Sequence, residues 1–262
     1  MAVKRPPSNT GVLVAGLLGL CAVAWLATAH LATPDMRVGL LTGSSRPPMA
    51  PMETSSPMAL GPFMATWSAM MVAMMVPAVT PVIATLDQWA RASSRAHAST
   101  PVFVAGYFLV WSASGLVAYA LLSVLQGWIS PATIMALRVG AALLVVAGVY
   151  QLVPLKQVCV QHCRSPLALL DQQGTLPTHR RLGPLRAGII HGLYCLGCCW
   201  ALMVVLLVLG MMNLAWMAAI TTIIVVERVM PRGERVRWLV GLVLVGLGIV
   251  LFAAPHTLPT LT

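Results

Sequence analysis

Acidic residues are almost missing from this 262-residue chain: six Asp and Glu stand against sixteen Lys and Arg. Charged residues of both signs make up only 8% of it, and aromatic residues 6%. So little charge cannot cover a water-facing surface of ordinary size, which excludes a soluble globular protein. The shortage of carboxylates also argues against acid–base chemistry by paired Asp or Glu. No GxSxG, HExxH or GxxxxGK[ST] signature occurs, so a serine hydrolase, a metalloprotease and an ATP-driven pump are all poor readings, and no enzyme is expected. No internal repeat is visible and no polar stretch is long enough for a soluble domain, so residues 1–262 read as one membrane domain.

What the chain has instead is apolar length. Hydrophobic residues make up 59% of it and the mean hydropathy is +0.88. A bilayer core takes about 20 apolar residues per helix, and seven segments meet that length, at roughly 11–31, 61–84, 102–126, 132–153, 186–208, 211–230 and 237–255. The expected fold is an all-α, polytopic transmembrane helix bundle. Lys4, Arg5, Arg91, Arg95, Lys156, Arg164, Arg180, Arg181, Arg186, Arg228, Arg232, Arg235 and Arg237 all fall on one side of a seven-span arrangement. Basic residues of short loops stay in the cytoplasm, so that side is the inner one, the N-terminus is cytoplasmic and the C-terminus outside. The net charge of +10 is thereby explained by topology, with the lipid bilayer as the contact and no role for nucleic acid. The basic start and Ala27-Thr28-Ala29 also resemble a secretory signal, but the apolar run is longer than a usual signal core and reads as a retained anchor.

Soft sulfur is the other abundance. His191, Cys195, Cys198 and Cys199 share one helical face, at about 0°, 40°, −20° and 80° around the axis. Thiolate and imidazole bind soft or borderline metals, and thiolate favours Cu(I), Zn(II) or iron–sulfur chemistry. Neighbouring side chains on one face leave one side of an ion open, so a second helix must close the site. The second span offers Met70, Met71, Met74 and Met75 in adjacent rows, with Met64 ahead of them. Thioether is a soft, uncharged donor that costs little in lipid, although buried methionine is also common packing material.

Two extramembrane segments repeat the theme. The outer one, 32–60, is rich in Met and Pro and carries Met49 and Met52. Eight of the 16 methionines fall between residues 49 and 75. Such thioethers suit weak Cu(I) capture where thiols would oxidise. The inner one, 154–185, is a cytoplasmic Cys/His segment with Cys159, His162 and Cys163. Pro154 breaks the fourth span there, and Cys159 and Cys163 stack one turn apart on a short helix. Lys156 and Arg164 nearby are expected to favour the thiolate forms, making this a delivery site for a thiophilic ion or a redox pair. Among the polar residues of the spans, Asn213 reads as a cap, Arg138 as a snorkelling cation and Glu227 as a carboxylate paired in solvent with Arg228 or its neighbours.

The stretches "MMVAMMVP", "YQLVPLKQVCVQHCRSP", "GLYCLGCCWALM" and "GMMNLAWM" resemble, over roughly residues 61–250, a bacterial family of predicted metal-binding integral membrane proteins, some of which are labelled copper chaperones. The matching positions are Met70, Met71, Met74, Met75, Pro77, Cys159, Cys163, Cys195, Cys198, Cys199, Trp200, Met203, Asn213 and Trp216. The resemblance implies a multi-pass protein of the bacterial inner membrane. The resulting expectation is a Cu(I)-binding membrane protein for copper transfer or homeostasis, with zinc second as the ion and a copper donor, a copper acceptor or a membrane oxidase as partner. The alternatives are a transmembrane thiol redox protein, in which the methionines would be idle, and an accessory subunit of a membrane complex.

Overall fold

The computed structural model describes residues 8–31, 59–92, 99–128, 134–164, 183–210, 213–230 and 233–253. Those residues form eight helices: α1 (Ser8–Leu31), α2 (Leu60–Ala92), α3 (Ser99–Trp128), α4 (Ile134–Leu152), α5 (Pro154–Arg164), α6 (Gly183–Leu209), α7 (Leu214–Val229) and α8 (Gly233–Ala253). Six of them, all but α5 and α7, are long and apolar enough to cross a membrane. Each coincides with an expected span. The expected sixth span corresponds to α7, whose 16 residues extend only about 24 Å at 1.5 Å per residue.

Local chemistry sets the breaks. Pro154 cannot donate a backbone hydrogen bond, so α4 ends at Leu152 and α5 starts on the proline, at the position where a missing N–H costs nothing. Arg237 of α8 donates from Nη1 to the carbonyls of Gln151 (2.7 Å) and Val153 (3.3 Å) at the break. Gly210 stops α6 with φ of 114°, a backbone that side chains resist, and Asn213 caps α7 by accepting from the amides of Ala215 and Trp216. Inside α2, Pro77 removes the donor for the Ala73 carbonyl. The thiol of Cys21 on α1 supplies a replacement at 3.3 Å, which accounts for the sixth cysteine and lets the helix continue.

Helix directions can be read from the close seams. A side chain at Gly188 of α6 would collide with the Phe103 carbonyl of α3, and one at Gly192 would press on Val110 and Tyr107, so α3 and α6 run parallel. On α4 and α8 the order is reversed: Gly148 faces Gly241 and Val245, whereas Gly248 faces Ala141 and Val145. Backbone-to-backbone approach of this kind is how helices gain dispersion energy where lipid removes the hydrophobic drive. α2 packs on α1, α3 and α7, and α6 on α3, α4, α5 and α7. One contiguous core results, containing Met70, Met71, Met74, Met75, Met203 and Met217 together with Cys163, Cys195, Cys198 and Cys199.

Candidate metal centre

The cysteine face of α6 is closed by a cation. Arg228 of α7 points its Nη2 into the thiols, donating to the sulfurs of Cys195 (3.0 Å), Cys198 (2.7 Å) and Cys199 (3.0 Å) and to the Cys195 carbonyl (3.3 Å). The side chain is 7% exposed. Glu227, its neighbour in sequence, turns away and pairs with Lys156 of α5 at 2.6 Å, and Gln151 of α4 bonds both partners. The expected pairing of Glu227 with Arg228 in solvent is therefore wrong: one turn of helix end presents the two side chains to different neighbours, and Glu227 is buried with Lys156. A buried guanidinium facing sulfur rather than carboxylate makes the thiols the groups that can offset its charge.

α5 brings a fourth sulfur. Cys163 is buried with its sulfur 3.8 Å from that of Cys198, which in turn is 3.6 Å from Cys199 and donates to the Cys195 carbonyl at 3.1 Å. Tyr107 of α3 shares a hydrogen bond of 2.9 Å with the Cys195 sulfur. Four thiols on two helices, a guanidinium from a third and a phenol from a fourth thus meet at one point. Soft sulfurs in this number suit a thiophilic ion, and a dry surround strengthens their attraction for it.

The charge expected at Cys159 and Cys163 is not delivered. Lys156 is taken by Glu227 and Gln151, and Arg164 donates from Nη2 to the carbonyls of Glu227 and Met230, tying α5 to the end of α7. The hydrogen bond that the Cys163 thiol donates to Cys198, together with burial, pushes Cys163 well above its ordinary range, and burial pushes Cys159 up as well. Both favour the neutral thiol, the reverse of the expectation. Cys159 lies half-buried against Gly197, and the His162 ring stacks on Tyr194 at 4.4 Å while its Nδ1 bonds the Val158 carbonyl at 2.8 Å.

His191 stands apart from the sulfurs' hydrogen bonds. It is buried between Phe103 and Tyr107, with ring centroids 5.7 and 5.9 Å away, and neither ring nitrogen has a protein partner. Met70, Met71, Met74 and Met75 are fully buried on α2, which packs on α7 rather than closely along α6. Met49 and Met52 lie outside the described residues. Among the described residues no group of three or more His, Cys, Asp or Glu is spaced to hold a metal ion.

Sequence reasoning passed over Arg228 and Tyr107. The signal for Arg228 was present, since "TTIIVVERV" runs apolar up to it, but counting it among loop cations hid it. Tyr107 gave none beyond an ordinary helical tyrosine.

Residues 64–251 match the PpoB2 family model, described as copper chaperone. The chain belongs to this copper chaperone family. The matched segment holds Met70 to Met75, Tyr107, Cys159, Cys163, the α6 cysteines and Arg228, and leaves out Cys21 and the stretch with Met49 and Met52. No curated protein and no solved structure matches the chain. A copper-related function thus falls on the part of the molecule that contains the sulfur cluster.

Proposed function

We propose that this chain holds Cu(I) as cargo in the thiol cluster of Cys163, Cys195, Cys198 and Cys199 and hands it on for copper transfer or homeostasis. The observation that carries this reading is the convergence of four buried sulfurs from α5 and α6 inside the segment shared with the copper chaperone family. Met70, Met71, Met74 and Met75 serve as the uncharged station at mid-membrane depth, and Cys159, partly exposed one turn from Cys163, as the exit. Copper then leaves to an acceptor protein or a membrane oxidase. Met49 and Met52 fit as capture residues ahead of the second span. His191, with two unpartnered nitrogens one turn from Cys195, is a further donor.

The frame for this traffic is a seven-crossing protein of the bacterial inner membrane, N-terminus inside. Its support is the parallel run of α3 and α6 and the antiparallel run of α4 and α8, as strict alternation requires if α7 completes a crossing. Single cysteines in a variant lacking the six native ones test it. Gln161→Cys should react with an impermeant maleimide only after permeabilisation, and Ala59→Cys in intact cells; labelling of position 161 from outside refutes the topology.

Metal analysis of the purified protein under reducing conditions tests the cargo. Copper should be retained over zinc, and lost when Cys195, Cys198 and Cys199 become serine in a protein that still inserts. Equal uptake of both ions overturns the assignment. A thiol redox protein is the second reading, favoured by the 3.8 Å between the sulfurs of Cys163 and Cys198. It requires those two residues to form a disulfide in the working cycle, detectable as a redox-dependent change in thiol count.

A further inference from the structure

We propose that Arg228 is the specificity-determining residue of the site, restricting Cu(I) to two thiolates, those of Cys163 and Cys198, and balancing the charge of that complex. The inference rests on the cargo reading above. Its first ground is position. Nη2 stands 2.7 to 3.0 Å from the sulfurs of Cys195, Cys198 and Cys199, so it fills the point from which a metal would reach all three. Metal–thiolate bonds are about 2.3 Å, shorter than these contacts, so ion and guanidinium cannot share that point. This agrees with the lack, among the described residues, of any three-ligand group spaced for a metal.

The second ground is the open edge. Cys163 approaches Cys198 at 3.8 Å from α5, and its sulfur is not one of the three that Nη2 contacts. An ion between Cys163 and Cys198 meets two sulfurs on separate helices and reaches neither Cys195 nor Cys199 unless Nη2 moves away from them.

The third ground is charge. Cu(I) replaces the protons of two thiols, which leave for the solvent or the donor, and one positive ion with two thiolates sums to −1. Arg228 offsets that charge at the cluster itself, because Lys156 and Glu227 already pair with each other. Zn(II) in a structural site takes four ligands, as a rule three or more of them thiolate or imidazole, and the guanidinium bars the third sulfur. A fixed cation on α7 thereby separates the two ions that sulfur alone binds well.

X-ray absorption on the copper-loaded, detergent-purified full chain should show two sulfurs per Cu(I) in the wild type. Arg228→Gln, which keeps a polar side chain but removes the charge, should gain a third sulfur. In competition titrations its preference for Cu(I) over Zn(II) should fall at least tenfold. Arg228→Lys, which keeps the charge, should retain two sulfurs and most of the preference. Three sulfurs around copper in the wild type overturn the inference without needing any variant to fold, as does an Arg228→Gln protein equal to the wild type in both measurements. A folded wild type that binds no Cu(I) overturns the cargo reading, and this inference with it.

Discussion

Two clusters of buried soft sulfur among the described residues are treated in two ways. On α2, Met70, Met71, Met74 and Met75 are packed among apolar neighbours in the core. On α5 and α6, Cys163, Cys195, Cys198 and Cys199 are just as buried but sit in a web of hydrogen bonds with Arg228, Tyr107 and one another. The difference follows from charge. A thioether stays neutral whether or not it holds an ion, so it asks nothing of its surroundings. In the proposed function a thiol trades a proton for a metal, so a cluster of them is served by a cation placed in advance, and Arg228 of α7 stands there.

Removing the donor at the centre of the charged cluster should do most damage. Cys198→Ser keeps the size but loses the sulfur that contacts Cys163, Cys199 and Arg228 at once. Cu(I) affinity should fall by more than about 100-fold, beyond what loss of an outer partner causes, as read by competition with a chromophoric Cu(I) chelator. An unchanged affinity breaks the contrast between the two regions.

Stability answers to a different pair. Lys156→Met leaves Glu227 buried without its cation, and breaking a buried pair from one side costs about 3–5 kcal/mol. Denaturant unfolding in detergent should show that loss, and Lys156→Met combined with Glu227→Gln should recover part of it. No recovery means that the pair is not the source.

The neutral region should tolerate what the charged one does not. Changing Met70, Met71, Met74 and Met75 to Leu conserves volume and apolarity, so each site should cost less than about 1.5 kcal/mol. The variant should fold, insert and keep six thiols, yet load copper poorly. Full loading and full cellular function make these methionines packing alone and move the redox reading to first place.

The two smallest effects sharpen the picture at its edges. Tyr107→Phe removes one hydrogen bond to Cys195 and should cost about 1 kcal/mol with the fold intact. Cys159, left as the sole cysteine, should alkylate slowly below pH 9 and faster above it, because burial raises its thiol above the ordinary value of 9.0. The sign for stability follows: the fold prefers the neutral thiol, so the contribution is present below pH 9.0 and is lost as pH rises through the raised value. Fast alkylation of a folded protein at neutral pH contradicts the direction.

Sequence alone was enough for everything that depends on neighbours along the chain. Apolar length located seven of the eight helices but for their boundaries, the Cys159–Cys163 spacing after Pro154 pointed to the short α5, Pro154 and Asn213 marked where helices stop and start, and the 3.6-residue period put His191 and three cysteines on one face. Each of these is a local property, decided by backbone hydrogen bonds that a helix satisfies within itself. The choice of partner is not local. That α7 rather than α2 closes the cysteine face, that Cys163 folds back to Cys198, that Glu227 takes Lys156 and leaves Arg228 to the sulfurs, all depend on which helices pack together. Only the tertiary structure decided those pairings, because a buried charge settles on whichever opposite or polarisable group the packing brings within reach, and residues 65 positions apart, such as Cys163 and Arg228, carry no sign of their proximity in the chain.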